Sequence, residues 1–237
     1  MNEQNTGRDA GNWARPVERL AVANVPAGAL DTVGGKQLLS PIQGFGKMWQ
    51  KTYRVSLAGA EVSPRELIEA WKAEFPSFWP QGSQFHAPLT GIAPGEVALL
   101  QASVGGGLKL STGVLVLYAD DESFTFMTPQ GHMFAGWITF SAAEEDGATV
   151  AQCQVLMRAQ DPLTEVGLVL GGHRKEDRFW QDTLRALAAR FGVEAEPETR
   201  VVCVDRRRQW GRAGNVRHSS AFRSGLHTAT APLRKRR

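Results

Sequence analysis

An α+β fold, with a curved antiparallel β-sheet wrapped around a long C-terminal helix, is the class this sequence predicts, and three observations predict it. Trp49, Tyr53, Val55 and Leu57 fall on one face of a period-two pattern, with Gln50, Thr52, Arg54 and Ser56 on the other. From Glu96 onward, four clusters of turn-forming residues divide a β-rich stretch into about five strands. Trp180, Leu184, Leu187, Ala188 and Phe191 then form an apolar stripe of helical period, and only the preceding sheet offers enough apolar surface to cover it.

In chain order, residues 1–45 carry scattered Gly and Pro without sustained periodicity, and are expected to be a flexible N-terminal arm. A domain spanning 46–205 follows. Its first strand gives way to a helix start at Ser63: Pro64 suits the first helical position, and Glu66 completes a capping box. Leu67, Ile68, Trp71 and Phe75 supply that helix with an apolar face, Pro76 stops it, and Phe78 to Gly82 form an aromatic loop. The turn clusters are Gly105-Gly106-Gly107, Asp120-Asp121-Glu122, Pro129-Gln130-Gly131 and Glu145-Asp146-Gly147. The last helix covers 174–191, Gly192 stands where a left-handed cap belongs, and Thr199 to Val204 suit a short edge strand. Residues 206–237 read as a disordered basic tail.

Turn positions align the strands. A two-residue Asp146-Gly147 loop places Phe140 opposite Cys153 and Ile138 opposite Val155, so Phe134, Ile138, Phe140, Cys153, Val155 and Met157 share a face. A two-residue Gln130-Gly131 loop adds Thr125 and Met127 to it. Phe124, Phe126, Trp137, Gln152, Gln154 and Arg158 then lie opposite, and the first face is expected to meet the C-terminal helix.

Composition narrows the class. The chain has 237 residues, 42% of them apolar, enough for a sizeable core. No stretch approaches the roughly 20 apolar residues of a membrane span, and the first residues are polar, so a cytoplasmic protein is expected. Two cysteines, Cys153 and Cys203, are too few for a disulfide framework and lack zinc-site spacing. The net charge of +3 conceals a split: 11 basic residues and one acid from Arg200 onward, against 16 basic and 23 acidic before it.

The order of strand, helical segment with aromatic loop, five-stranded meander and long helix resembles the helix-grip fold of the SRPBCC superfamily. That superfamily includes START lipid-transfer domains, plant pathogenesis-related allergens and aromatic polyketide cyclases. The segments Gly44 to Trp49, Thr128 to Trp137 and Gly171 to Trp180 are similar to a bacterial branch of it, and bring no catalytic roles with them. The resemblance implies a cavity between helix and sheet that admits a small apolar or amphipathic molecule. Its wall candidates here are Met127, Phe134, Ile138, Phe140, Met157, Trp180 and Leu184, with Trp71 and Phe75 near a mouth. No cofactor is expected.

No residue set composes a catalytic machine. His86, His132 and His173 lie in predicted loops at no metal-ligand spacing, His218 and His227 lie in the tail, and no nucleophile elbow occurs. Glycines 105–107 precede no Lys-Ser/Thr, so they read as a strand connection, and the acidic turns as solvated hairpin tips. An enzyme of cyclase, dehydratase or hydrolase type on this fold would use His132, His86 or Arg158, the last pairing with a carboxylate or phosphate. A third reading is a regulatory protein contacting nucleic acid or an anionic surface through Arg206, Arg207 and Arg208 and through Arg234, Lys235, Arg236 and Arg237.

Overall fold

Residues 9–26, 29–103 and 109–219 are described by a computed structural model. Their strands form one antiparallel sheet: β1 (Met48–Ser56), β2 (Ser83–His86), β3 (Val97–Ser103), β4 (Lys109–Ala119), β5 (Ser123–Met127), β6 (Phe134–Glu145), β7 (Ala148–Ala159) and β8 (Glu198–Asp205). Their spatial order is β2-β3-β4-β5-β6-β7-β1-β8. Helix α1 (Pro64–Ala73) follows β1, and α2 (Pro162–Gly167), a π-helical turn (Leu168–Gly172) and α3 (His173–Arg190) follow β7. This is the helix-grip arrangement, an α+β fold with its long helix closing the curved sheet.

Local chemistry sets the helix ends. Ser63 Oγ accepts from the Glu66 N–H, and the Glu66 carboxylate accepts from the Ser63 N–H at 2.8 Å, with Pro64 at the first helical position. At the far end Gly192 has φ +75, and the Val193 and Gly192 N–H groups return to the Ala188 and Ala189 carbonyls. The expected helix over 174–191 is therefore α3 nearly to the residue. The shorter α2 and the π-helical turn before it were not anticipated.

Register follows from the loops. Asp146 and Gly147 both have positive φ and close a two-residue hairpin, giving the expected pairs Phe140 with Cys153 and Ile138 with Val155. The loop at Gln130-Gly131 is longer than two residues. Thr128 exchanges hydrogen bonds with Gly136, so Met127 pairs with Trp137, and Phe124 with Phe140. Met127 thus pairs three residues further along β6 than a two-residue loop would place it, and this odd shift turns β5 over: Phe124 and Phe126 join Phe140, Cys153 and Tyr53 on the helix side, while Thr125 and Met127 face the other way.

The helix side of the sheet carries the larger core. Leu67, Ile68 and Trp71 of α1 and Leu184, Leu187 and Ala188 of α3 pack onto Tyr53, Phe124, Phe140, Cys153 and Met157. A second cluster joins Val97, Leu99 and Leu115 on the opposite side to Leu20 and Val33 of the N-terminal segment. The stretch expected as a flexible arm thus lies, over its described residues, against the sheet, and its backbone bonds to the sheet at Ala14–Leu117, Leu39–Thr128 and Phe45–Ala159. Within the segment expected as a disordered tail, Trp210–His218 is a 3-10 helix, held where Asn215 donates to the carbonyls of Gln43 and Gln160 at 2.9 Å each. Gly105 to Gly107 and the terminal Arg234, Lys235, Arg236 and Arg237 lie outside the described residues.

Trp71 meets the rings of Phe124 and Phe140 with no exposure. Trp71→Ala is expected to cost about 3–5 kcal/mol, because the sheet cannot collapse into the space left behind. Urea unfolding checks it, with a lowered midpoint at an unchanged slope as the expected result.

Candidate functional site

The wall candidates lie mainly in one packed cluster. Phe75 makes edge contacts with Trp79, Phe85, Phe124, Phe126 and Phe140, at centroid separations from 4.7 to 6.2 Å. Trp71, Phe140, Met157 and Leu184 are buried in the same cluster, with Phe134, Ile138 and Trp180 half-buried against it. Met127 is half-buried on the other side of the sheet.

A polar group interrupts this apolar face. Lys51 sits between Trp49 and Tyr53 on β1 with its side chain 1% exposed, and its Nζ donates to Glu176 Oε2 at 2.8 Å and Asp177 Oδ1 at 2.7 Å. The Tyr53 hydroxyl donates to the same Asp177 oxygen at 2.7 Å. Two carboxylates near the start of α3 thus share one ammonium. Glu176 is the deeper, 8% exposed against 26%, and its Oε1 has no hydrogen-bond partner among the described residues. Burial pushes its carboxyl up to about 7, outweighing the shared Lys51. Burial and the Asp177 and Glu176 carboxylates likewise raise the Tyr53 hydroxyl. His173, whose ring stands 5.1 Å from that of Trp49, is held down to about 4 by burial and by Lys51.

The groups named for enzyme chemistry lie apart from this cluster and on separate elements. His132 is buried in the β5–β6 loop, where its Nδ1 accepts from the Phe134 N–H at 3.0 Å and burial lowers it to about 4. His86 is half-buried on β2. Arg158 faces away from the helices, beneath residues 44–46 and 205–208, and donates to Asp205 Oδ2 at 2.6 Å and to the Gly46 and Arg207 carbonyls. The Arg207 N–H and Arg158 together bring Asp205 down to about 2. Among the described residues no cluster of His, Cys, Asp and Glu has metal-binding geometry, and no helix is long and apolar enough to cross a membrane.

A pocket of about 350 Å³ opens beside α2. Val166, Val169 and Leu170 of α2 and the π-helical turn form one wall, and Phe45 and Trp210, edge to face at 5.2 Å, form another. Its polar groups are Glu165, buried, and Arg208, whose Nε donates to the Glu165 carboxylate at 2.9 Å. The π-helical turn shapes this wall. Leu170 has non-helical ψ, Gly171 has φ +115, and Gly172 lies where a Cβ would press on the Gly167 carbonyl, so the chain turns Val169 and Leu170 outward. Sequence reasoning missed this pocket, because it is assembled from segments more than a hundred residues apart.

No family model matches the sequence, nor does any curated protein. Among solved structures the chain is similar to a protein from Arthrobacter aurescens, at 9% identity over 60% of this chain and 86% of that one, with a TM-score of 0.45. It is also similar to major latex-like protein 151 of Panax ginseng, at 14% identity over 62% and 99% of the two chains, with a TM-score of 0.41. A third is the di-domain ARO/CYC StfQ from the steffimycin biosynthetic pathway, at 11% identity and a TM-score of 0.43, over 62% of this chain. The chain spans about half the length of StfQ, covering 53% of it. At identities this low the likeness concerns the course of the chain.

The Glu176 carboxyl binds a proton in the folded protein between its ordinary value of 4.5 and about 7, where the unfolded chain has released it. Its contribution to stability is therefore complete below the lower value and lost as pH rises through the upper. Glu176→Gln removes that dependence, so the stability of the variant relative to the parent should rise by up to about 3 kcal/mol across this interval. Denaturant unfolding at a series of pH values checks it. His173 titrates with the opposite sign in both proteins and cancels in the difference.

Proposed function

We propose that the protein binds a small apolar or amphipathic molecule, seated in the pocket between the start of the C-terminal helical unit and the Phe45 and Trp210 rings. The observation that carries this reading is an apolar-walled space of about 350 Å³ whose polar groups are a single ion pair. Pockets of roughly 300–1,000 Å³ with apolar walls and few polar groups are the usual form of small-molecule sites. The apolar body of the ligand replaces water against Phe45, Val166 and Val169. Arg208 gives its Nε to Glu165 and keeps its guanidinium plane at the pocket, where its remaining N–H groups suit a carboxylate or phosphate head.

The aromatic cluster of Trp71, Phe75, Phe140, Met157 and Leu184 is separate from this pocket and is packed core. Rings in edge contact give little way. A ligand held among them would have to displace side chains that now bury one another. The pocket beside α2 requires no such displacement.

Native mass spectrometry of the full chain purified from its own host, followed by denaturing extraction, identifies what the pocket carries. A stoichiometric apolar or amphipathic compound is expected. Val166→Trp fills the pocket from an exposed helix position, and should lower affinity for that compound, or for an environment-sensitive naphthalene sulfonate dye, at least tenfold. Binding that survives Val166→Trp unchanged would place the ligand elsewhere and overturn this reading.

A further inference from the structure

The surface around the pocket mouth combines exposed apolar side chains with charge of one sign. Val166, Val169, Leu170 and Trp210 meet at the mouth, and Leu163 lies one helical turn before Val166 on the same side of α2. They are exposed to between 51% and 81%, with Leu170 the most open. Scattered exposed apolar residues are ordinary, but a contiguous group on one face, centred on an indole, is not.

The acidic residues of this region are withdrawn from its surface. Asp161 is buried and caps α2 by accepting from the Thr164 N–H, and Glu165 is buried against Arg208. Glu176 and Asp177 turn inward to Lys51, and Asp205 is taken by Arg158 and Arg207. What remains at the surface is basic. Arg174, Lys175 and Arg178 are exposed at the start of α3 on one flank, and Arg206, Arg207 and Arg212 on the other, beside Trp210.

We propose that this face docks the protein on the surface of an anionic lipid bilayer, with Leu163, Val169, Leu170 and Trp210 entering the headgroup region and the two basic flanks meeting lipid phosphates. The occupant is identified by complementarity. An apolar centre with an indole suits the boundary between headgroups and acyl chains, and flanking arginines suit a negative leaflet. A nucleic acid would use the arginines but would leave Leu163 and Leu170 in water. In the docked state the pocket mouth faces the bilayer, so an apolar ligand moves between them without crossing water. Docking itself does not depend on the pocket being filled.

Cosedimentation of the full chain with vesicles tests this, comparing neutral phosphatidylcholine with phosphatidylcholine containing phosphatidylglycerol. Binding is expected to the anionic vesicles and to weaken as salt is raised. Arg174→Glu should lower the partition coefficient about fivefold or more, and Leu163→Asp about tenfold. Neither residue lines the pocket, and an acid in the first turn of α2 is compatible with the helix. Both variants should therefore keep the parent's melting temperature and its affinity for the dye. That separates failure of docking from failure of the binding site.

Three results would overturn the proposal. One is binding to anionic vesicles that neither substitution alters. Another is a homodimer, seen by light scattering, that Leu163→Asp disperses. The third is tight binding to an oligonucleotide duplex, lost in Arg174→Glu and retained in Leu163→Asp, with no binding to vesicles.

Discussion

Val97 to Leu100 is apolar at every position, and a strand with four apolar residues in a row can leave neither of its faces in water. Ala98 and Leu100 meet the aromatic cluster under the helices, while Val97 and Leu99 meet Leu20 and Val33 on the far side. This demand for cover on both faces organises much of the molecule. The helices supply one cover, and the N-terminal segment supplies the other. Helices that already occupy the concave face leave no room there for the chain entering β1, so residues 44–46 run across the outer side of β7, where a Cβ on Gly44 would strike Arg158 and Ala135. The return of the chain after β8 then meets this crossing at Phe45, and the pocket forms at their junction.

The sequence could be read wherever a short-range rule acted alone. The Asp146-Gly147 hairpin fixed two strands correctly, because two residues with positive φ permit very little else, and the capping box at Ser63 fixed the start of α1 for the same reason. The Gln130-Gly131 loop looked similar and was not. Its register is set within the longer loop by the Thr128–Gly136 exchange, and that loop is held from outside by the Leu38–Pro129 bridge to the N-terminal segment. A local rule has no access to a partner ninety residues away. The same holds for the arm itself, whose few apolar residues are too sparse to show a period but are enough to fill gaps on a sheet already formed.

Lys51 shows a signal that was present and passed over. It occupies an inward position in β1, flanked by Trp49 and Tyr53, where alternation calls for an apolar side chain. A charge in that place costs several kcal/mol unless paired, so its presence is itself evidence of acids facing it. Glu176 and Asp177 are in the sequence too, but the helical pattern alone does not say which way they point. Their true direction depends on how α3 is rotated over the sheet. In the structure one rotation brings both carboxylates to a single ammonium and keeps Leu184 and Leu187 inward, so the cluster ties the start of α3 to β1.

The π-helical turn runs against this economy. Its residues, Leu168 to Gly172, join α2 to α3 through the non-helical Leu170 and Gly171, and Val169 and Leu170 stay exposed beside Val166. Exposing two branched apolar residues beside an unshielded indole gains nothing for the isolated fold, and natural sequences depart from local consistency mainly where something else is served. The acids nearby are all turned inward, so the departure is in charge as well as in hydropathy. Two independent rules broken in one place, at the mouth of an apolar pocket, are what a surface made to be covered would require.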